Sequence, residues 1–259
     1  MIDINAISAI AYRDLIKFLR DPLRIVSTLI FPIVFIGVLG GSFQASWGDS
    51  FGYDFLTFTF TGVFAQTLFQ SSALGLVSLI EDRENDFSQE MFVSPISRYA
   101  IIFGKILGET LVALAQGIAV IVFGLLVGIS MTWSQLLGLL PVAFVACLFG
   151  GAFGVIIMAN ISSQRAANQI FPFVILPQFF LAGVFNSIKE LPVYLDVLSL
   201  ISPMRYPVDL TRGVFYLGLP EYEAVVVASP VVNLLIMGVF FMIFLMIGTL
   251  IFVRNERNR

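Results

Sequence analysis

The residues able to do chemistry are sparse in this 259-residue sequence, and those present do not form a catalytic set. There is no histidine, and the single cysteine, Cys147, lies within an apolar run. That excludes an intrachain disulfide framework and argues against a metal centre. Cys147 reads as a small apolar packing residue. Glu109 is the only acid well inside an apolar stretch, one helical turn beyond Lys105. It either holds a coupling ion at membrane depth, as a carrier would need, or pairs with Lys105 at i,i+4. Gly104-Lys105 is the nearest approach to a phosphate-binding loop, but Ile106 replaces the hydroxyl residue and Tyr99 stands where the first glycine belongs. Neither a charged ring nor a carbonyl filter sequence suggests an ion channel. No nucleophile with a base is placed at one level, so no enzyme is expected.

The elements carrying these residues are membrane elements. Apolar residues make up 58% of the chain, charged ones 12%, and the mean hydropathy is +0.96. A soluble domain needs about twice that charge, so the excess apolar surface must face lipid. The expected fold is an all-α membrane domain with six spans, at about 24–41, 55–80, 101–129, 135–159, 167–185 and 230–253. The second and third are longer than a bilayer requires and should tilt or project. Between them lie a Gly/Asp-rich break at 42–54, a charge cluster at 81–100, a tight turn at Met131-Thr132-Trp133-Ser134, a polar break at 160–168 and a long proline-punctuated segment at 186–229.

With the N-terminus inside, eleven of the fourteen basic residues fall on cytoplasmic segments, leaving only Lys189, Arg205 and Arg212 outside. This predicts N-in, C-in topology. Residues 1–22 carry Asp3, Arg13, Asp14, Lys17 and Arg20 without an apolar core, so no cleavable signal peptide is expected. Instead Ile4, Ile7, Ala11, Leu15 and Phe18 recur at helical spacing opposite Arg13, Lys17 and Arg20. This predicts an amphipathic helix in the inner headgroup layer, broken by Asp21-Pro22, ahead of a permease-like domain over 23–259. Gly104/Gly108, Gly124/Gly128 and Gly150/Gly154 have the spacing that lets helices approach closely. No internal repeat is evident, and basic residues are not massed as nucleic acid would require.

The segment EDRENDFSQEMFVSPISRYAIIFGK, from Glu81 to Lys105, carries the most information. Phe87 and Met91 stand at i,i+4, with Asp86 and Glu90 flanking, and Ser94-Pro95 stops the helix. On periodicity alone it is either a helix that docks on a partner, at about 84–97, or a solvated loop. The segment resembles the coupling helix of type-2 ATP-binding-cassette exporter permeases. The resemblance rests on the acidic-basic start Glu81-Asp82-Arg83-Glu84, on Ser94-Pro95-Ile96-Ser97 and on Gly104-Lys105. A second match runs from Phe180-Leu181-Ala182-Gly183 through Leu191-Pro192 to Ser202-Pro203-Met204-Arg205-Tyr206, Asp209 and Arg212. Asn85-Asp86-Phe87-Ser88 departs from the family's usual Gly-Thr-Leu-Glu-like stretch.

The resemblance implies a transporter subunit in the cell (inner or plasma) membrane. It would pair with a second permease copy, identical or not, and with cytoplasmic ATPase subunits that hold ATP and magnesium. No cofactor is expected in this chain. Arg83, Glu84, Phe87, Glu90, Met91, Ser94, Pro95 and Arg98 are the expected ATPase contacts. The family's route between second and fifth spans points to Thr59, Gln66, Gln70 and Gln178, which either line a wet path or join helices. Phe58, Phe60, Phe64 and Phe69 would offer aromatic surface to an amphipathic drug, lipid or glycan-linked substrate, or face lipid. The proline-rich segment reads as two short re-entrant helices, either an outer gate or a passive cap. A membrane scaffold and an ion-coupled carrier using Glu109 are the competing readings.

Overall fold

The computed structural model describes residues 4–50, 52–78, 80, 97–161, 163–189 and 191–257. Among them the ordered elements are helical. α1 (Ile4–Leu19) ends before Asp21, whose side chain caps the next helix by accepting from Arg24 N at 3.0 Å, with Pro22 in the first turn. α2 (Pro22–Pro32) runs through a π-helical stretch (Ile33–Gly40) into α3 (Gly41–Trp47). The wider turn follows Pro32, which has no N–H for the i→i−4 ladder. α4 (Phe55–Gly75) starts at Asp54, which accepts from Thr57 N at 2.6 Å. α5 (Arg98–Leu126) starts at Ser97, and α6 (Trp133–Met158) starts at a Thr132/Gln135 capping box. α7 (Gln164–Leu181), α8 (Val193–Ile201), α9 (Arg205–Phe215), α10 (Tyr222–Val225) and α11 (Pro230–Arg257) complete the chain.

Four described stretches are long and apolar enough to cross a membrane: Pro22–Ser46, Tyr99–Leu126, Trp133–Met158 and Tyr222–Ile251. α4 and α7 have 21 and 18 residues, about 31 and 27 Å of helix, but are more polar. In α4 the cause is Gln66, Gln70, Ser71 and its threonines, and in α7 Gln164, Arg165, Asn168 and Gln169. α4 also ends earlier than the apolar run suggested. Beyond Gly75 the chain tightens, with Val77 N–H bonding Leu74 O and Ile80 N–H bonding Val77 O.

α4 forms the centre of the packing, with α5, α6 and α9 around it. Phe58, Phe60, Phe64 and Phe69 are buried against protein, and Phe69 lies between Phe149 and Phe153 at centroid distances of 5.7 and 5.2 Å. These rings therefore face neither lipid nor a path. α6 comes close to α4 because Gly150 and Gly154 lack side chains. A Cβ there would lie 2.9 Å from Phe69 Cα and 3.0 Å from Ala73 Cα. By contrast, only 17% of the apolar window in Pro22–Ser46, and the same share in Tyr222–Ile251, is buried, against 50% and 61% in the α5 and α6 windows. The first and last of these stretches are thus peripheral.

α1 does not stand apart from this bundle. It packs along α5, where Gly104 and Gly108 admit Ile10 and Asp14. Its buried residues are Ile10, Ala11, Asp14 and Phe18, while Ile4 is exposed. The buried stripe therefore differs from the purely apolar one expected, because it includes a carboxylate.

Candidate functional site

That carboxylate opens a charged junction at the α1 end of the bundle. Lys105, 1% exposed on α5, places Nζ 3.1 Å from Asp14 Oδ2. Arg13 Nη2 donates to Asp14 Oδ1 at 2.9 Å. Lys105 also donates to Ser78 Oγ at 3.1 Å, and Ser78 Oγ donates to Gly75 O at 2.6 Å. Ser78 Oγ lies 3.4 Å from Glu109 Oε1, and Arg24 Nη2 approaches Glu109 Oε2 at 3.8 Å. The Glu109 carboxylate fills the space that a side chain at residue 75 would take. One polar chain therefore ties α1, the start of α2, the end of α4 and α5. Burying these charges is tolerable only because they are paired, and removing one partner of such a pair costs about 3–5 kcal/mol.

Two adjoining hollows open beside the junction, of about 300 and 290 Å3. They share Arg24, Leu74 and Gly75. The first continues from the junction toward Gln164 and Asn168 of α7. The second rises between α2, α4 and α5 and is floored by Gln66, Thr67 and Gln116, all buried. Gln66 Nε2 donates to Gln70 Oε1, which leaves Gln66 Oε1 without a hydrogen-bond partner.

The opposite end of α4 holds a second polar cluster, centred on α9. Arg212, 2% exposed, donates from Nη2 to Gly183 O at 2.7 Å and Val184 O at 3.4 Å, and its guanidinium carbon lies 3.6 Å from the centre of the Phe58 ring. Asp209 accepts from Val227 N, Ala228 N and Asn233 Nδ2, each at 2.8 Å, and so caps the approach to α11. Arg205 reaches Asp196 and Ser199 of α8, and Tyr206 donates to Leu200 O. α9 is therefore interior and fastened to α4, α8, α11 and the turn after α7.

Residues 5–216 match the family described as ABC-2 type transporter. The chain belongs to that family. It is 21% identical over 216 residues to the ycf38 protein of Cyanophora paradoxa, which bears a transport-permease name, with 82% of this chain and 74% of that protein covered. The inner membrane transport permease YadH of Escherichia coli (strain K12) is 24% identical over 225 residues, covering 85% of this chain and 86% of YadH. YbhR of the same strain, which bears a multidrug ABC-transporter-permease name, is 26% identical over 147 residues. That match covers 54% of this chain and 38% of YbhR. The family makes this ABC-2 chain a membrane transport permease.

The matched range of the ABC-2 chain holds the junction, both hollows and α9, and stops before α11. Of the four polar residues named from sequence, Gln66 and Gln70 sit side by side in the hollow. Thr59, two turns earlier, is enclosed in the protein core. Gln178 joins helices, donating to Val174 O and accepting from Met204 N at 3.2 Å. Arg83, Glu84, Phe87, Glu90, Met91, Ser94 and Pro95 lie outside the described residues, and Arg98 is the first residue of α5. Sequence reasoning missed Asp14, Arg24, Thr67 and Gln116. A lone carboxylate among Ile10, Ala11 and Phe18 was the signal for Asp14.

Proposed function

We propose that this chain is the six-span permease subunit of an ATP-driven exporter, with α2–α3, α4, α5, α6, α7 and α11 as the spans and both ends cytoplasmic. ATP and magnesium would be held by a separate ATPase subunit, two of which pair with two permease copies in the inner or plasma membrane. The substrate would be an amphipathic drug, lipid or glycan-type molecule.

The charged junction carries this reading. The segment 81–96 is strung between the end of α4 and the start of α5, and Lys105, Ser78 and Glu109 fasten those two ends to each other and to α1 and α2. A push on that segment from an ATPase would reach four helices at once through these side-chain contacts. Gln66 and Thr67 of α4 and Gln178 of α7 are buried, which supports the assignment of both helices as spans, because polar groups at membrane depth face the interior of a bundle. The basic-residue asymmetry, eleven to three, supports the orientation.

Purification in mild detergent from the native membrane tests the assignment. An equimolar ATPase should accompany the chain, and substrate-stimulated ATP hydrolysis should be lost when Phe87 and Met91 are both changed to Ser. A wild-type level of transport in that double variant, or a chain that purifies alone and hydrolyses no ATP in lipid, would sink the reading.

A further inference from the structure

Among the described residues, Arg24 is the one charged residue that lines both hollows. Its charge works against its own helix. Arg24 stands in the first turn of α2, where the helix dipole disfavours a cation, and Asp21 already caps that turn by accepting from Arg24 N at 3.0 Å. A neutral side chain would serve α2 better. The guanidinium is held instead by other helices. Its carbon lies 5.6 Å from the centre of the Phe18 ring of α1, and Nη2 stands 3.8 Å from Glu109 Oε2 of α5.

These holds are loose where the rest of the junction is tight. Lys105 Nζ is 3.1 Å from Asp14 Oδ2 and its side chain is 1% exposed, whereas the Arg24 side chain is 36% exposed. Glu109 is not orphaned when Arg24 leaves, because Ser78 Oγ stands 3.4 Å away and Lys105 acts on the carboxylate as well. Arg24 also has somewhere to go. Asp21, exposed and three residues earlier, lines the lower hollow beside it and offers a second carboxylate. A long side chain serving two carboxylates, one buried and one exposed, is a two-position element.

The two positions differ in what separates the hollows. With Arg24 on Glu109, its side chain stands with that of Leu74 between the hollow leading toward Asn168 and the one between α2, α4 and α5. With Arg24 on Asp21, only the Leu74 side chain remains of what both hollows share, since residue 75 is a glycine. We propose that Arg24 is a gate residue, closed on Glu109 and open on Asp21, that controls passage from the lower hollow to the upper one. The gate stands on these contacts alone, and its place on an export route rests on the exporter reading.

The test uses the full-length chain in nanodiscs, which leave both faces open to reagent, with Ser71→Cys as the reporter. Ser71 is half-buried and lines the upper hollow but not the lower one. The probe is a sulfonated, membrane-impermeant methanethiosulfonate, and the chain without the reporter gives the background from buried Cys147. Arg24→Ala should raise the labelling rate about tenfold. Glu109→Gln keeps the arginine but frees it, and should raise the rate about threefold, equivalent to about 0.6 kcal/mol. The two together should be no faster than Arg24→Ala alone. Asp21→Asn keeps the cap, removes the open position and should slow labelling about threefold. Asn168→Cys, on the lower hollow, should label at one rate in every variant. A reporter labelled equally fast with and without Arg24, or a rate untouched by both Glu109→Gln and Asp21→Asn, would overturn the gate. If Arg24→Ala misfolds, Glu109→Gln and Asp21→Asn decide the matter. Labelling needs no ATP, and ATPase co-purification is scored separately. Gated labelling without an ATPase keeps the gate and sinks the exporter, and an ATPase with ungated labelling does the reverse.

Discussion

The two ends of α4 are fastened by different means. At the α1 end the partners are side chains on separate helices: Asp14 with Lys105, Ser78 with Lys105 and Glu109, and Arg24 with Glu109. At the α9 end they are mostly backbone. Arg212 is held by the carbonyls of Gly183 and Val184 and a phenyl ring, with no carboxylate among the described residues within ion-pair distance. Asp209 is held by two backbone N–H groups and one amide. Side-chain pairs can be exchanged or removed together. Backbone groups stay when their partner goes. The first end is therefore built from contacts that can be rearranged without orphaning the main chain, and the second end is welded.

The harshest way to break this comparison is at the welded end. Asp209→Leu with Arg212→Met leaves four backbone groups without their partner, Val227 N, Ala228 N, Gly183 O and Val184 O, while Asn233 Nδ2 keeps Ala228 O at 3.3 Å. At about 1 kcal/mol or more each, the double variant should lose about 4 kcal/mol or more and fail to accumulate in the membrane. Removing both charges should recover nothing relative to the worse single variant. A double variant more stable than either single, by melting midpoint in mild detergent, would mean the two charges serve each other and not the backbone.

The junction should behave in the opposite way. Lys105→Met leaves the Asp14 carboxylate, 5% exposed, with only the part-exposed Arg13 at 2.9 Å, and should cost about 3 kcal/mol, the low end for a broken buried pair. Adding Asp14→Leu removes that half-paired charge and should restore stability to within about 1–2 kcal/mol of wild type. The rescued protein should still lose ATP-coupled transport if the junction transmits force from the segment 81–96. A rescue of stability together with full transport would leave the pair a packing device.

How much of this was legible beforehand follows the same division. The apolar runs at 101–129, 135–159 and 230–253 match α5, α6 and α11 closely, because a continuous apolar stretch is a local signal. The break at Asp21-Pro22 was legible too, since a capping carboxylate and a proline act on neighbouring residues. Gln66 and Gln70 stand four apart and could be set on one face by counting. Other contacts join distant parts of the chain. Lys105 meets Asp14 across 91 positions, and Arg212 meets Gly183 across 29 and the Phe58 ring from another helix. Backbone acceptors leave no mark in a sequence at all, so the interior position of α9 had no signal, although its residues were named. The aromatic run of α4 misled for a related reason. Phenylalanines suit lipid and a protein core equally, and only the glycines of α6, which bring a second helix close to α4, decide between them.

Glu109 gives the smallest and most discriminating effect. Lys105 at i,i+4 is one of the charges acting on it, and Arg24 and Ser78 stand against the carboxylate as well, at 3.8 and 3.4 Å. Neither is a tight charge-assisted contact, which would fall near 2.7–2.9 Å. The Arg24 side chain is 36% exposed, so solvent screens its share of the pair. Glu109→Gln keeps the shape and one acceptor oxygen, puts a donor in place of the other, and removes a buried charge whose partner Arg24 can turn to solvent, so stability should change by less than about 1 kcal/mol. Its effect on transport separates the exporter from a carrier. A carrier needs this carboxylate, the only acid so deep in an apolar stretch, to bind its coupling ion, and should lose accumulation outright. An exporter driven from a separate ATPase has no such need and should keep its rate within about twofold, a difference worth about 0.4 kcal/mol. Transport measured in proteoliposomes with ATP present and no ion gradient reads the difference directly, because a carrier would be silent there even in the wild type.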